Sequence, residues 1–301
     1  MRVLHICGIA TGRVLKEVLA FQGSITTGLL HSGCGHTDLM GWVCNSDFWE
    51  SKEQLIAKVG AASSRYDVLH VHTSTNNSTL LELVSSNSNL PIVWDMHDTP
   101  AHMPDASRAS HIVVPSDGYH KGSNYTTVYS MLPMKLFPEM PERRLDAGVL
   151  VSGIGIDPVY RDYREVQLSL SSELFIYPAQ MEMSMRKHYS NLMQQTTYIR
   201  MMSEIGKFTF GYAGAANSGH SIHDCVTNKF WEYVAAGLPI VTYRSDEMSE
   251  LVDNMWYGKK MEHLSDEISV DKVSKASQAR FQFTMESQLP AMLEIYKEAL
   301  C

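Results

Sequence analysis

Chemistry is most legible in this chain near residue 230, where Asp224 and Glu232 stand eight positions apart in the run Asp-Cys-Val-Thr-Asn-Lys-Phe-Trp-Glu-Tyr-Val-Ala-Ala-Gly-Leu-Pro. The apolar spacing from Thr227 onward predicts a helix over about 227–236, closed by Gly237. A helix that starts there turns free amides and the positive end of its dipole outward, where a diphosphate is stabilised. Asn228 and Lys229 fall in its first turn, and Lys229 is the cation best placed to meet phosphate charge. Glu232, about one and a half turns in, can accept hydrogen bonds from ribose hydroxyls. The plainer alternative is an amphipathic surface helix with Glu232 exposed to water.

Two further segments end in polar groups. Tyr66-Asp-Val-Leu-His-Val-His72 and Pro91-Ile-Val-Trp-Asp-Met-His-Asp98 both read as buried strands. Alternation puts His70 and His72 on one face. His72, His97 and Asp98 then fall at carboxyl ends, where parallel sheets carry their ligands. If the chemistry needs a base to deprotonate a hydroxyl, His97 or Asp98 is the candidate. A rival reading makes His70 and His72, with His97 or His102, a metal cluster. No Cys or carboxylate completes a familiar ligand spacing, Asp-x-Asp is absent from the chain, and neither a resident metal nor a cofactor is expected. Strand-end histidines bonded to backbone are the commoner outcome.

Glycine loops and cations supply the weaker signals. Gly8-Ile-Ala-Thr-Gly12 follows the first strand and Gly153-Ile-Gly155 a later one, and either lets backbone approach a ligand closely. Neither completes the Gly-x-Gly-x-x-Gly run of dinucleotide enzymes. Arg186 and Lys187 are the other candidates for diphosphate charge, with Arg161 and Arg164 behind them, although a solvated helix face accounts for any of the four. No Gly-x-Ser-x-Gly elbow or P-loop occurs, which removes serine hydrolases and P-loop ATPases.

The elements that position these residues alternate along the chain. Strands are expected at Val3–Cys7, Leu39–Cys44, Asp67–His72, Ile92–Met96, His111–Pro115 and Thr127–Ser130, with helices around Val14–Leu19, Gln54–Val59 and Thr79–Val84 between them. Three prolines between Leu132 and Arg144 break the pattern, and the domain boundary is placed near residue 146. Strands resume at Gly148–Ser152, Leu174–Tyr177, Phe208–Tyr212 and Pro239–Tyr243, with helices over about 184–203 and 227–236. A final helix over about 270–299, interrupted by Pro290, is long enough to cross back to the first domain. The expected fold is α/β, two doubly wound Rossmann-like domains, 1–146 and 147–301, facing a cleft that holds the ligand.

Composition agrees. In 301 residues, 44% hydrophobic and 19% charged, a chain is long enough for about two buried cores. With 25 basic against 33 acidic residues the net charge is −8, which disfavours a dedicated nucleic-acid binder. Five scattered cysteines, Cys7, Cys34, Cys44, Cys225 and Cys301, without a C-x-x-C pair, point to a reduced cytoplasmic setting. No segment has the roughly 18 uncharged apolar residues of a membrane span.

The helix with Glu232 followed by Ala-Ala-Gly-Leu-Pro and a buried strand resembles the nucleotide-sugar site of GT-B glycosyltransferases, in particular the retaining group whose motif is Glu-x7-Glu. The resemblance implies that Glu232 binds the nucleotide ribose. It implies that Asp224, which stands where the family has a longer Glu, meets the donor sugar. The strands ending in His72 and in His97-Asp98 look like the third and fourth strands of the acceptor-side domain of that family. A metal-independent transfer from a nucleotide-diphosphate sugar to a hydroxyl acceptor is the implied activity. Three alternatives stay open: a phage-type enzyme that glycosylates modified DNA bases, a sugar-nucleotide epimerase, and a non-catalytic nucleotide-sugar-binding subunit.

Overall fold

The structure is a computed structural model, and it describes residues 1–74, 79–98, 104–119, 122–141, 145–152, 156, 161–178, 186–217, 219, 221–222, 225–255, 258–266 and 272–301, without the side chains of Lys272 and Val273. Contacts divide the chain into two units, Met1–Pro133 with Met285–Cys301, and Met134–Thr284. The division falls at the start of the proline-rich run instead of near residue 146.

The first unit is built on a parallel seven-stranded sheet. Its strands are β1 (Arg2–Ile6), β3 (Thr26–His31), β5 (Ser46–Phe48), β6 (Val68–Thr73), β7 (Ile92–Met96), β8 (His111–Val114) and β9 (Tyr125–Thr127), in the spatial order β5-β3-β1-β6-β7-β8-β9. A small separate pair joins β2 (Ile9–Ala10) to β4 (Gly33–Cys34). The helices are α1 (Gly12–Phe21), α2 (Thr37–Met40), α3 (Lys52–Ala61) and α4 (Leu80–Ser85). The expected strand at Leu39–Cys44 is not one. Thr37–Met40 is a helical turn, and the second strand is Thr26–His31, entered by a tight turn in which Ser24 and Ile25 both donate to the Phe21 carbonyl. The last strand lies at Tyr125–Thr127, short of the expected Thr127–Ser130.

The sheet has two unlike faces. Leu4, Ile6, Leu69, Val71, Ile92, Trp94, Met96, Ile112 and Val114 form one apolar cluster with Leu55 and Val59 of α3 and Leu81 and Val84 of α4. Period-two alternation sends His5, His70, His72 and Asp95 to the opposite face.

In the second unit a parallel five-stranded sheet has the order β11-β10-β12-β13-β14. Its strands are β10 (Leu145–Ser152), β11 (Glu173–Pro178), β12 (Phe208–Tyr212), β13 (Ile240–Tyr243) and β14 (Lys259–Met261), with α5 (Arg164–Ser169), α6 (Tyr198–Ile205), α7 (Asn228–Ala235) and α8 (Asp246–Met255) between them. The edge strand β14, Lys-Lys-Met, has no apolar run to announce it. The long helix expected over 184–203 reduces, among the described residues after 186, to Tyr198–Ile205. The preceding segment pairs with β11: Ile176 donates to the Asn191 carbonyl and Met193 to the Ile176 carbonyl, both at 2.8 Å, so its backbone is committed to the sheet.

The C-terminal stretch divides into α9 (Lys272–Ala279), two 3-10 turns over Arg280–Gln282 and Met285–Gln288, and α10 (Leu289–Leu300). Pro290 starts α10 instead of interrupting a longer helix, because its missing N–H falls in the first turn, where none is needed. Among the described residues no helix is long and apolar enough to cross a membrane, and all five cysteines are free thiols.

Candidate functional site

The polar face of the first unit carries a buried network of ionisable groups. His5 lies beside His70 in the β1–β6 register, and His72 beside Asp95 in the β6–β7 register. Helix α1 covers this face with Arg13 and Glu17, one turn apart, and α10 adds Tyr296. His5, Glu17, His70 and Asp95 are completely buried, and Arg13 is 3% exposed. Asp95 is the hub. Its Oδ2 accepts from Arg13 Nε at 2.9 Å and from His72 Nδ1 at 3.1 Å, and His97 Nε2 lies 3.5 Å away. Arg13 also donates to the Val128 carbonyl at 2.8 Å. His5 Nδ1 meets His72 Nε2 at 2.9 Å, and His70 Nδ1 meets the Tyr296 hydroxyl at 2.8 Å.

These contacts shift the proton affinities of the buried groups. Burial raises the Asp95 carboxyl, but Arg13, with hydrogen bonds from His72 and His97, outweighs that and holds it well below the usual carboxylate range. Glu17 goes the other way: burial first, then the Asp95 charge, push it well above that range, and its oxygens make no hydrogen bond among the described residues, although Oε1 lies 3.4 Å from Arg13 Nε. Burial keeps His5 and His70 well below 6.5 and brings His72 down to about 4. Arg13 thus faces Asp95 directly, which is how a buried charge pair escapes an uncompensated desolvation cost.

Two sets of side chains could receive a divalent ion: His5, Glu17, His70 and His72, and His72, Asp95 and His97, each offering ligand atoms within 4.8 Å of one another. Imidazole and carboxylate suit zinc or a similar ion. Arg13 already pairs with both carboxylates of these sets, Asp95 at 2.9 Å and Glu17 at 3.4 Å, and the His70 and His72 rings stack face to face, 4.3 Å between centroids, instead of radiating from a common centre.

His97 and Asp98 leave the sheet at the end of β7. The His97 amide still donates to the Thr73 carbonyl at 2.9 Å, and its side chain is 12% exposed, whereas Asp98 is exposed. Gly12 is the first residue of α1, and a methyl group there would meet only the His36 ring, at 3.5 Å.

In the second unit, α7 runs from Asn228 to Ala235 and ends in a Schellman cap. Gly237, at φ +63°, donates to the Val234 carbonyl, and Leu238 to the Tyr233 carbonyl, both at 2.9 Å. Thr227, at the N-cap, makes no side-chain capping bond. Asn228 is exposed, and Lys229 lies over the Tyr163 ring, 5.4 Å from its centroid. Glu232 is 6% exposed and accepts from the Tyr198 hydroxyl at 2.9 Å, so it is not the water-facing glutamate of a surface helix. Arg186 and Lys187 are exposed. Asp224, Gly153, Gly155 and His102 lie outside the described residues.

The structure therefore brings His70, His72 and His97 together and adds Arg13, Glu17, Asp95 and Tyr296, which the strand motifs alone did not single out. Asp95 was within reach of the reading, because alternation in Trp94-Asp-Met96 points it to the side of the histidines.

The two sheets and their helices make up the two-domain α/β fold of GT-B glycosyltransferases. No protein-family model matches the sequence, and no curated protein matches it. Solved structures do match. HepE of Anabaena, in complex with UDP, is 12% identical at a TM-score of 0.68, over 98% of this chain and 100% of that one. A glycosyltransferase involved in avilamycin A biosynthesis is 13% identical at a TM-score of 0.66, over 100% of this chain and 98% of that one. An α-glucosyltransferase in complex with UDP and a 13-mer DNA containing a HMU base is 11% identical at a TM-score of 0.63, over 99% and 100%. At these identities the likeness is one of fold.

Proposed function

We propose that this protein is a glycosyltransferase that takes a sugar from a nucleotide-diphosphate donor, held by the second unit, and gives it to a hydroxyl acceptor bound by the first. The observation that supports this most directly is Glu232, in an α7 whose N-cap Thr227 makes no side-chain capping bond, in a fold of which HepE and the α-glucosyltransferase were solved with UDP. The helix amides and Lys229 stabilise the diphosphate as the bond from its oxygen to the anomeric carbon breaks, and Glu232 holds the ribose. The acceptor oxygen forms the new bond, and its proton passes to the leaving phosphate if configuration is retained, or to His97 or Asp98 if it is inverted. Transfer needs no divalent ion, in keeping with the missing Asp-x-Asp, and turnover in the presence of a chelator checks this. Five free thiols accord with work in a reduced cytoplasm.

Thermal shift with UDP, GDP, ADP and TDP sugars tests the reading, since a ligand at 100 times its Kd stabilises by about 2.7 kcal/mol. With the donor found, Glu232→Gln weakens its binding by about 1.5–3 kcal/mol in calorimetry, the usual worth of a hydrogen bond to a charged group. Equal affinities would remove Glu232 from the site. A donor that binds without being consumed points to a non-catalytic subunit, and product formed without acceptor to an epimerase.

A second reading has one observation in its favour, the α-glucosyltransferase neighbour solved with DNA. The net charge of −8 opposes a DNA acceptor. Transfer to duplex DNA carrying a hydroxymethylated base, lost as salt rises, would bring that reading to the front.

A further inference from the structure

We propose that Tyr198 is a positioning residue for Glu232: its hydroxyl holds one oxygen of the carboxylate, so that α6 as well as α7 sets where the hydroxyls of a donor's ribose are accepted. That Glu232 meets a ribose rests on the glycosyltransferase reading, whereas the tie between the two side chains does not.

Glu232 lies one turn in from Asn228, the exposed first residue of α7, and on the same side of the helix. Its Oε1 accepts from the Tyr198 hydroxyl at 2.9 Å, a bond between buried groups 34 positions apart in the second unit. The last torsion of a glutamate is broad, so a carboxylate without an anchor is ordered only when a ligand arrives, at a cost to affinity. A hydrogen bond from a fixed donor moves that ordering into folding. Here the donor is fixed at both ends of its helix. Tyr198 opens α6, where the Thr197 side chain caps the helix by accepting from the Arg200 amide, and Met202 and Ile205 continue the buried face that Tyr198 begins. In the last turn Glu204 accepts from the Tyr177 hydroxyl of β11 at 2.9 Å, which fastens α6 to the sheet. A phenol has one proton, and this one is committed to Glu232, so the pair offers a ligand only acceptor oxygens. It takes groups that bring hydroxyl protons, as a ribose diol does, and gives nothing to groups that only accept. A mere brace between α6 and α7 would make no such distinction among ligands.

Calorimetry with UDP, GDP, ADP and TDP, and with their 2′,3′-dideoxy forms, separates the two. Tyr198→Phe keeps the ring and its packing and removes the hydroxyl alone. The expected result is a Kd raised about tenfold for the nucleotide that binds, with wild type and variant alike on its dideoxy form. An equal penalty on both forms makes Tyr198 a brace and overturns the proposal, as does an unchanged Kd. The tie itself is read without ligand: in denaturant unfolding the costs of Tyr198→Phe and Glu232→Ala are expected to be non-additive, and additive costs overturn it. A Glu232→Gln variant that binds as tightly as wild type sinks the ribose reading and the positioning role with it. Weaker binding in Glu232→Gln without any in Tyr198→Phe sinks the positioning role alone. Wild-type protein that binds none of the four nucleotides sinks the glycosyltransferase reading, and non-additive unfolding costs then leave only the brace.

Discussion

His97 and Asp98 are neighbours in sequence with opposite surroundings. One ring edge of His97 is locked into a buried network, while Asp98 is exposed to water. Their contributions therefore separate under mutation. His97→Ala removes a fixed group, and transfer falls by the 10²–10⁴ of a lost general base, whereas Asp98→Asn acts only if its carboxylate touches the acceptor. Neither change should move donor affinity if the donor rests on the other unit, as proposed. Single-turnover transfer beside a donor titration checks both, and wild-type rates in both variants would take this strand end out of the site. The histidines were legible because strand alternation is a local rule. Arg13 and Glu17 were not: beside Val14, Leu15, Val18 and Leu19 they look like the wet side of an amphipathic helix, yet every residue from Arg13 to Phe21 is buried. A helix covered on all sides is a tertiary fact that no one-dimensional pattern announces.

At the scale of elements, the placement of Glu232 depends on how closely α7 lies on β12. Gly211 makes that approach feasible, since a methyl group there would overlap the Tyr233 ring. The ring has no room to yield, because the Tyr233 hydroxyl accepts from the Val151 amide at 2.8 Å and donates to the Tyr212 carbonyl at 3.1 Å. Gly211→Ala should cost about 1–3 kcal/mol in denaturant unfolding, the usual penalty of overpacking, and should weaken donor binding by tilting the helix. Unchanged stability would show that the helix stands further off than described. The strands Phe208–Tyr212 and Ile92–Met96 were readable because a doubly buried parallel strand is a dense apolar run. Thr26–His31 and Lys259–Met261 were not, for want of apolar residues at Thr26, Thr27, Lys259 and Lys260. Of the helix expected over 184–203, 198–203 is helical, and around Asn191–Met193 pairing with β11 overrode local spacing.

For the whole molecule, the buried network makes stability depend on pH with two opposed slopes. His5, His70 and His72 have folded values below 6.5, so their contribution is full above 6.5 and is lost as pH falls from there, toward about 4 for His72. Glu17 has a folded value above 4.5, so its contribution is full below 4.5 and is lost as pH rises. Three groups against one make the wild type less thermostable at pH 5 than at pH 8. Glu17→Gln, which keeps the shape of the protonated acid, removes the opposing slope: it raises Tm at pH 8 and steepens the fall toward pH 5. An unchanged slope in that variant would mean that Glu17 is ionised in the fold. The same network has a consequence in time. Tyr296 and Gln288, which bonds the Tyr129 backbone across 159 positions, belong to the first unit, whereas Met134–Thr284 is continuous. During synthesis the half that leaves the ribosome first lacks Tyr296 and Gln288 until residues 285–301 emerge, whereas all of Met134–Thr284 is made before them. The unit begun first is thus the one whose last parts are made last, so a chain cut before residue 285 should expose the His70 end of the network and bind chaperones more than the full chain does.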